Sequence, residues 1–206
     1  MTTRQYKQRG RAEAAEETRR RILDAAYEQL RAAPTEPISI DRVARAADVA
    51  RSTVYVAFGS PVGLLDALGE DLLQRAGFER MLRQSRQPDA RKSLRAGIHE
   101  LAAMYAAERD LVRALVSIVR LDTDAFSGAI ARLEERRARA MTDLANRLAD
   151  QDQLRPGLDL EGAANALWLL TSFDAFDLLF AGRRLTTESV ADTLSAMAER
   201  SVCRDA

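Results

Sequence analysis

The sequence predicts an all-α protein with about nine helices. Apolar residues recur at helical spacing in most segments, and no stretch of useful length alternates apolar and polar side chains as a strand does. Apolar residues make up 47% of the 206 residues, which is enough to bury a core. We expect a three-helix N-terminal head over residues 1–60 and a larger helical domain over residues 61–206.

Charge is unevenly distributed along a chain whose formal net charge is zero. Residues 1–21 contain seven basic and three acidic side chains, and we interpret residues 1–14 as a flexible basic arm that precedes a helix over residues 16–32. A basic arm on a neutral protein is typical of a small DNA-binding head. The alternative is a solvated tail that binds nothing.

The head contains a helix-turn-helix pattern between Ile40 and Phe58. Asp48 stands where the chain must reverse, and Val54 and Phe58 resume the apolar period in the second helix. In such a unit the second helix enters the major groove, and its first residues meet base edges and phosphates. Ser39 is expected to cap the first helix. We therefore predict DNA-binding residues at Ser39, Arg51, Ser52, Thr53, Tyr55 and Val56.

This pattern resembles the N-terminal domain of the TetR family of transcriptional regulators. The resemblance extends from about Thr18 to Leu68, and it is carried by Val43-Ala44, Ala47, Val49, Thr53-Val54-Tyr55, Phe58 and Leu64-Leu65. It implies a homodimeric regulator, most often a repressor, that binds a palindromic operator in double-stranded DNA and responds to a small-molecule effector. The helix that starts at Pro61, predicted to run to Gln84, would then link effector binding to the head.

Three positions depart from the family pattern. Asp48 replaces a usual Gly, and Asp tolerates the left-handed conformation that such a turn needs. Ala50 replaces a Ser that caps the second helix, and Pro61 replaces a Lys that touches phosphate, although Ser60-Pro61 is still a good helix start. The last two changes favour an alternative function, a small-molecule-binding all-α protein whose DNA binding is weakened or lost.

The C-terminal helices are predicted to form the homodimer interface. Between Leu160 and Phe180 apolar residues occur all around the predicted helix, and a helix that is apolar on every side is buried on every side. One side should pack on its own domain and the other on a second copy of the chain. The predicted dimerisation residues are Leu169, Phe173, Phe176, Phe180, Leu194 and Met197.

An effector cavity is predicted between the middle helices. Its candidate lining residues are Met104, Tyr105, Phe126, Trp168 and Thr171, although each also fits ordinary core packing. Asp174 is a further candidate because a carboxylate on a buried helix needs a partner. That partner is either an arginine such as Arg183 or a cationic ligand.

An enzyme is the third class considered, and nothing in the pattern supports it. His99 and Cys203 lie about a hundred positions apart, and no phosphate loop, metal motif or cysteine pair occurs. We predict no catalytic residue, no metal and no cofactor. The N-terminus lacks an apolar signal core and no long apolar run is present, so a cytoplasmic protein with no membrane partner is expected.

Overall fold

A computed structural model describes residues 3–33, 36–75, 87–121 and 129–205, and the fold in these residues is helical with no strand. One isolated β-bridge joins Leu154 to Cys203. The all-α prediction is therefore confirmed. The described residues form ten α-helices and one π-helical segment: α1 (Thr3–Ala32), α2 (Ile40–Ala46), α3 (Arg51–Phe58), α4 (Pro61–Arg75), α5 (Ala90–Ala107), α6 (Arg109–Leu121), α7 (Ala129–Asp150), α8 (Leu160–Leu170), α9 (Phe173–Asp177), the π segment (Leu178–Gly182) and α10 (Thr187–Val202).

The chain divides into two compact units. The first comprises Met1–Leu72 and Arg113–Ile130, and the second comprises Leu73–Val112 and Ala131–Ala206. Residues 61–72 thus group with the N-terminal helices, whereas the sequence prediction placed them in the second domain. The part of α4 predicted beyond Arg75 lies outside the described residues.

The first unit contains the predicted helix-turn-helix. Helix α2 packs against both α1 and α3, and Ser39 caps α2 by accepting a hydrogen bond from the Arg42 N–H at 3.4 Å. The turn between the two helices passes through Asp48, which has a φ of 53°. Asp tolerates this left-handed conformation better than most residues, so the turn forms without the usual Gly.

The junction between α3 and α4 is built around two glycines and a serine. Gly59 ends α3 with a φ of 75°, and the Ser60 hydroxyl accepts a hydrogen bond from the Gly63 N–H at 3.0 Å. A Cβ atom at Gly63 would lie 2.0 Å from the Phe58 carbonyl oxygen. Position 63 therefore requires glycine, and Ser60-Pro61 starts α4 as predicted.

Helix α1 begins much earlier than the sequence prediction placed it. It starts at Thr3 rather than near residue 16, so the predicted flexible arm is helical where the structure describes it. Residues 9–17 are all exposed on this helix. Arg, Gln, Glu and Ala are strong helix formers, and their density in this segment accounts for the longer helix.

The second unit has α10 at its centre. This helix packs against α5 and α8, and it buries Val190, Leu194 and Ala198. Thr186 caps α10 by accepting the Ser189 N–H at 3.2 Å. At the other end Arg95 on α5 holds Glu199 with two hydrogen bonds of 2.8 and 2.9 Å, which raise the pKa of the Arg95 guanidinium.

The predicted continuous helix from Leu160 to Phe180 is interrupted. Helix α8 ends at Leu170, and Ser172 caps α9 by accepting the Ala175 N–H at 3.1 Å. The two parts meet at an angle of 47°. None of the described helices is by itself long and apolar enough to span a membrane, although this bent pair reaches the required length and composition when taken together.

Candidate nucleic-acid interface and ligand cleft

Helix α3 presents a polar face with one apolar residue at its centre. Val54 anchors the helix in the first unit and is 1% exposed. Val56 lies about 200° further around the helix, and Ser52 is one turn before it, so both project away from the core. Val56 is 88% exposed. This face therefore combines polar side chains, which can hydrogen-bond to base edges and phosphates, with one apolar side chain.

Arg51 is held beside this face by two neighbours. Its guanidinium lies 3.2 Å from a carboxylate oxygen of Asp41 on α2, and it donates to the Tyr55 hydroxyl at 3.3 Å. The hydrogen bond to Tyr55 and the charge of Asp41 raise the pKa of Arg51. Because the Arg51 and Asp41 side chains are largely exposed, any anion that approaches Arg51 meets the Asp41 carboxylate as a competitor.

Other contacts fix α3 on the head. The Arg19 guanidinium on α1 donates to the Ala57 carbonyl oxygen at 3.0 Å, and it lies 4.4 Å above the centroid of the Phe58 ring. Thr53 and Ser39 are half-buried. Ala50 occupies the N-cap of α3 and provides no side-chain hydrogen bond. Sequence reasoning did not identify Arg19 as a contact that positions α3.

A cleft in the second unit brings together two of the predicted ligand residues. Tyr105 and Thr171 both line it, and the Tyr105 hydroxyl donates to the Thr171 carbonyl oxygen at 3.2 Å. Burial raises the pKa of Tyr105, so the phenol stays protonated. Phe176 and Leu194 also line the cleft, together with residues that the sequence analysis did not name: Ile98, Leu101, Ala102, Leu170 and Ser172.

The cleft is small. Its empty volume is about 180 Å³ when the part open to solvent is counted, and its enclosed part admits about one water molecule. The structure does not place Met104, Trp168 or Asp174 in its lining, and Phe126 lies outside the described residues. A ligand of ordinary size therefore requires the lining side chains to move apart.

A buried arginine connects this cleft to Trp168. Arg137 on α7 is 6% exposed, and its guanidinium donates to the Trp168 carbonyl oxygen and, at 3.2 Å, to the Thr171 hydroxyl. The same guanidinium lies 4.7 Å above the centroid of the Trp168 ring, and Glu134 pairs with it at 2.6 Å. Helical periodicity alone gives no signal for this role of Arg137.

The acidic residues of α9 have different surroundings from those predicted. Asp174 is half-buried, whereas the sequence argument placed it on a helix buried on every side, and its candidate partner Arg183 is exposed. Asp177, one turn later, accepts a 2.6 Å hydrogen bond from Arg109. The break at Thr171–Ser172 explains the difference because it turns α9 away from the direction of α8.

The predicted dimerisation residues fall into two groups. Phe173, Phe176 and Leu194 are buried within the chain's own core, so they have little surface left for a second copy. Phe180 is half-buried. Leu169 is 61% exposed and Met197 is 40% exposed. We use "apolar outer surface" for the residues of this unit that are exposed despite being large and apolar: Leu160, Trp168, Leu169, Leu178 and Met197.

His99 and Cys203 are placed in structural surroundings. The His99 Nε2 atom lies 3.3 Å from an Asp192 carboxylate oxygen, and Cys203 is buried, which raises the pKa of its thiol. Within the described ranges no group of three or more His, Cys, Asp or Glu side chains is arranged to hold a metal ion.

Comparison with known proteins agrees with this geometry. The family profile described as "Bacterial regulatory proteins, tetR family" matches residues 22–68, which contain the helix-turn-helix. A sequence search of the curated proteins gave no significant match. The fold is similar to several solved structures of low sequence identity.

One of these is NalD, the secondary repressor of the MexAB-OprM multidrug efflux pump in Pseudomonas aeruginosa. It is 24% identical with a TM-score of 0.73, and the alignment covers 94% of this chain and 100% of that chain. A TetR family regulator from Marinobacter aquaeolei VT8 has 17% identity, a TM-score of 0.71 and coverage of 93% and 98%. A TetR-like regulator from Rhodococcus sp. RHA1 has 22% identity, a TM-score of 0.66 and coverage of 89% and 94%.

The match and the geometry define an all-α protein with an N-terminal helix-turn-helix DNA-binding domain. Residues 22–68 match the helix-turn-helix domain of the tetR family of bacterial regulatory proteins, and the fold of the chain is the one seen in solved TetR family regulators. Repression, ligand binding and dimerisation are typical of that family. The resemblance carried by Val43-Ala44, Thr53-Val54-Tyr55 and Phe58 is thus confirmed.

Proposed function

We propose that the chain is a homodimeric repressor that binds a palindromic operator and responds to a small-molecule effector. The observation that carries the proposal is the outward face of α3. Arg51, Ser52, Tyr55 and Val56 are exposed on a helix that Val54 and Arg19 hold in place. Hydrogen-bond donors and one apolar group on a fixed helix are what readout in the major groove needs.

The apolar outer surface supports the homodimer. Leu169 and Leu178 are 61% and 71% exposed, with Trp168 and Met197 on the same unit. Large contiguous apolar surfaces are uncommon on monomers and mark interaction sites. A self-complementary contact between two copies buries them, and it gives a two-fold arrangement that matches a palindromic operator.

The cleft around Tyr105 and Thr171 supports an effector site. Because its enclosed part admits about one water molecule, a larger ligand binds only to a state in which the lining residues have separated. A ligand that binds one state better than another shifts the population towards that state. If the opened state has lower operator affinity, the ligand releases DNA by linkage.

Selection of bound fragments from a genomic DNA pool tests the operator proposal. The purified protein is incubated with the fragments at fixed salt, and the retained DNA is sequenced and footprinted. A palindromic consensus with half-sites about one helical turn apart is expected. The absence of any enriched sequence would instead favour the alternative function, because Ala50 and Pro61 replace a helix cap and a phosphate contact of the family pattern.

Fluorescence of Trp168 tests the effector proposal. Since Arg137 bonds to both the Trp168 carbonyl and the Thr171 hydroxyl, a ligand that displaces Thr171 should change the emission of this single tryptophan. Small hydrophobic and cationic compounds are titrated while emission and operator release are recorded together. A compound that releases DNA, leaves the emission unchanged and binds Thr171→Ala and Tyr105→Phe variants as it binds the parent would place the effector site elsewhere.

A further inference from the structure

We infer that Val56 contacts the C5 methyl group of a thymine in each half-site of the operator. The inference rests on the proposed operator binding and specifies one base that the operator contains. It is drawn from the position of Val56 on α3, its exposure and the chemistry of its neighbours.

The fold gives Val56 no packing role. The side chain is 88% exposed, and it projects from the face of α3 opposite Val54, which is buried. Valine also has a lower helix propensity than alanine or the long straight-chain residues. Local helix stability and core packing therefore both fail to account for an exposed valine at this place.

The neighbours of Val56 leave its methyl groups as the apolar centre of the face. Ser52, one turn earlier, is small and polar. Arg51 and Tyr55 lie to one side, where the guanidinium bonds to the Tyr55 hydroxyl and to Asp41. A groove that receives this face thus meets one branched apolar side chain with donors beside it.

The major groove offers an apolar partner at one kind of base pair. Guanine, cytosine and adenine present hydrogen-bond donors and acceptors there, and thymine adds the C5 methyl group. Placing Val56 against a polar base edge would desolvate that edge without giving it a hydrogen bond. Contact with the thymine methyl removes apolar surface from water on both sides and has no such cost.

Replacement of thymine by uracil tests the inference because it removes this methyl group and keeps the base pair. The operator recovered by selection is synthesised with deoxyuridine at each thymine in turn, and binding of the full-length protein is measured at fixed salt. At one thymine in each half-site we expect uracil to lower the operator affinity about fourfold, which is the effect of burying one methyl group. Changing that thymine in both half-sites should lower the affinity about 15-fold.

The Val56→Ala variant completes the test. It should bind the thymine operator several-fold more weakly and show no further loss with uracil at the same position, since the contact is already gone. Ser52→Ala is the matched control on the same face and should keep the full sensitivity to uracil. Circular dichroism should show both variants folded, because each change is made at an exposed position.

The outcomes separate the two proposals. Specific binding that is insensitive to uracil at every thymine, or a uracil effect that persists unchanged in Val56→Ala, overturns the Val56 assignment and leaves operator binding intact. Absence of sequence-specific binding by the parent protein overturns the proposed function and the Val56 assignment together.

Discussion

Two surfaces of the molecule have a composition that packing within the single chain does not explain. They are the outward face of α3 and the apolar outer surface of the second unit. On α3 a single exposed valine, Val56, has hydrogen-bond donors beside it. On the second unit Trp168, Leu169, Leu178 and Met197 are exposed together. A lone apolar group among donors fits the edge of a base pair. A set of exposed large apolar side chains on one unit instead fits another protein surface.

The contrast also applies inside the second unit. Leu169 and Phe176 lie in the same apolar run of the sequence, yet Leu169 is 61% exposed and Phe176 is 1% exposed. Phe176 packs against the Tyr105 ring with centroids 5.6 Å apart and stacks on Phe180 at 5.1 Å. Phe176 therefore serves the packing of the core, whereas Leu169 is left exposed and available for the proposed dimer contact.

The largest effect is expected from a charge on the apolar outer surface. Leu169→Arg should leave the fold intact, because the side chain is already exposed, and should convert the proposed dimer into monomer by burying an unpaired cation at the contact. Operator binding should be lost with it, since one half-site supplies too few contacts. Sedimentation velocity and gel-shift titration measure the two effects.

Ala103→Arg is the matched control for that charge. Ala103 is exposed on α5, and arginine is well tolerated within a helix. This variant should therefore keep the oligomeric state and the DNA affinity of the parent. A Leu169→Arg protein that sediments as the parent does would contradict the assignment of this surface, as would a parent that is monomeric at micromolar concentration.

Truncation of the buried partner should act on folding. Phe176→Ala removes a ring that is packed on three aromatic neighbours, and we expect the free energy of unfolding to fall by about 3–5 kcal/mol. Urea denaturation at constant protein concentration measures it. Val56→Ala, at an exposed position, should change the free energy by less than about 0.5 kcal/mol. Equal losses in both variants would contradict this difference between core and surface.

Sequence reasoning was effective where local chemistry decides the structure. Ser39 was predicted to cap the first helix of the motif and does so, and Asp48 was expected to accept a left-handed turn and has a positive φ. These features depend on one residue and its immediate neighbours, so the sequence contains the information needed to predict them. The helix-turn-helix follows from them.

The features that the sequence did not predict depend on contacts between residues far apart in the chain. The Ser172 cap interrupts an apolar run from Leu160 to Phe180 that also fits one continuous helix, and periodicity does not show which of the two forms. Once α9 is turned, Phe173 and Phe176 face inwards and the outer surface passes to Leu169 and Leu178. Arg137 reaches Trp168 across 31 positions, a distance over which helical spacing carries no information.

The contact between Arg51 and Asp41 gives two variants of opposite sign. Arg51→Ala should weaken operator binding roughly tenfold or more, because a base or phosphate contact is lost from each subunit. Asp41→Asn should strengthen binding to all sequences, since it removes the carboxylate that competes with phosphate for Arg51. Tyr55→Phe should weaken binding less than Arg51→Ala does. Gel-shift titrations at one salt concentration rank the operator affinities of the three variants. If Asp41→Asn binds DNA more weakly than the parent, Asp41 orients Arg51 instead of competing with phosphate for it.

The smallest effect is expected at the N-terminal end of α1. Deleting residues 2–14 removes Arg4, Lys7, Arg9 and Arg11 and a single acidic residue, Glu13. The described side chains of residues 9–14 are all exposed, so the head should stay folded with an unchanged melting temperature. If these basic residues lie along phosphates, affinity should fall alike for operator and unrelated DNA, and the slope of log affinity against log salt should flatten by a few units at most. A loss confined to the operator would mean that this end of α1 reads sequence, and an unchanged slope would mean that its charge is merely solvated.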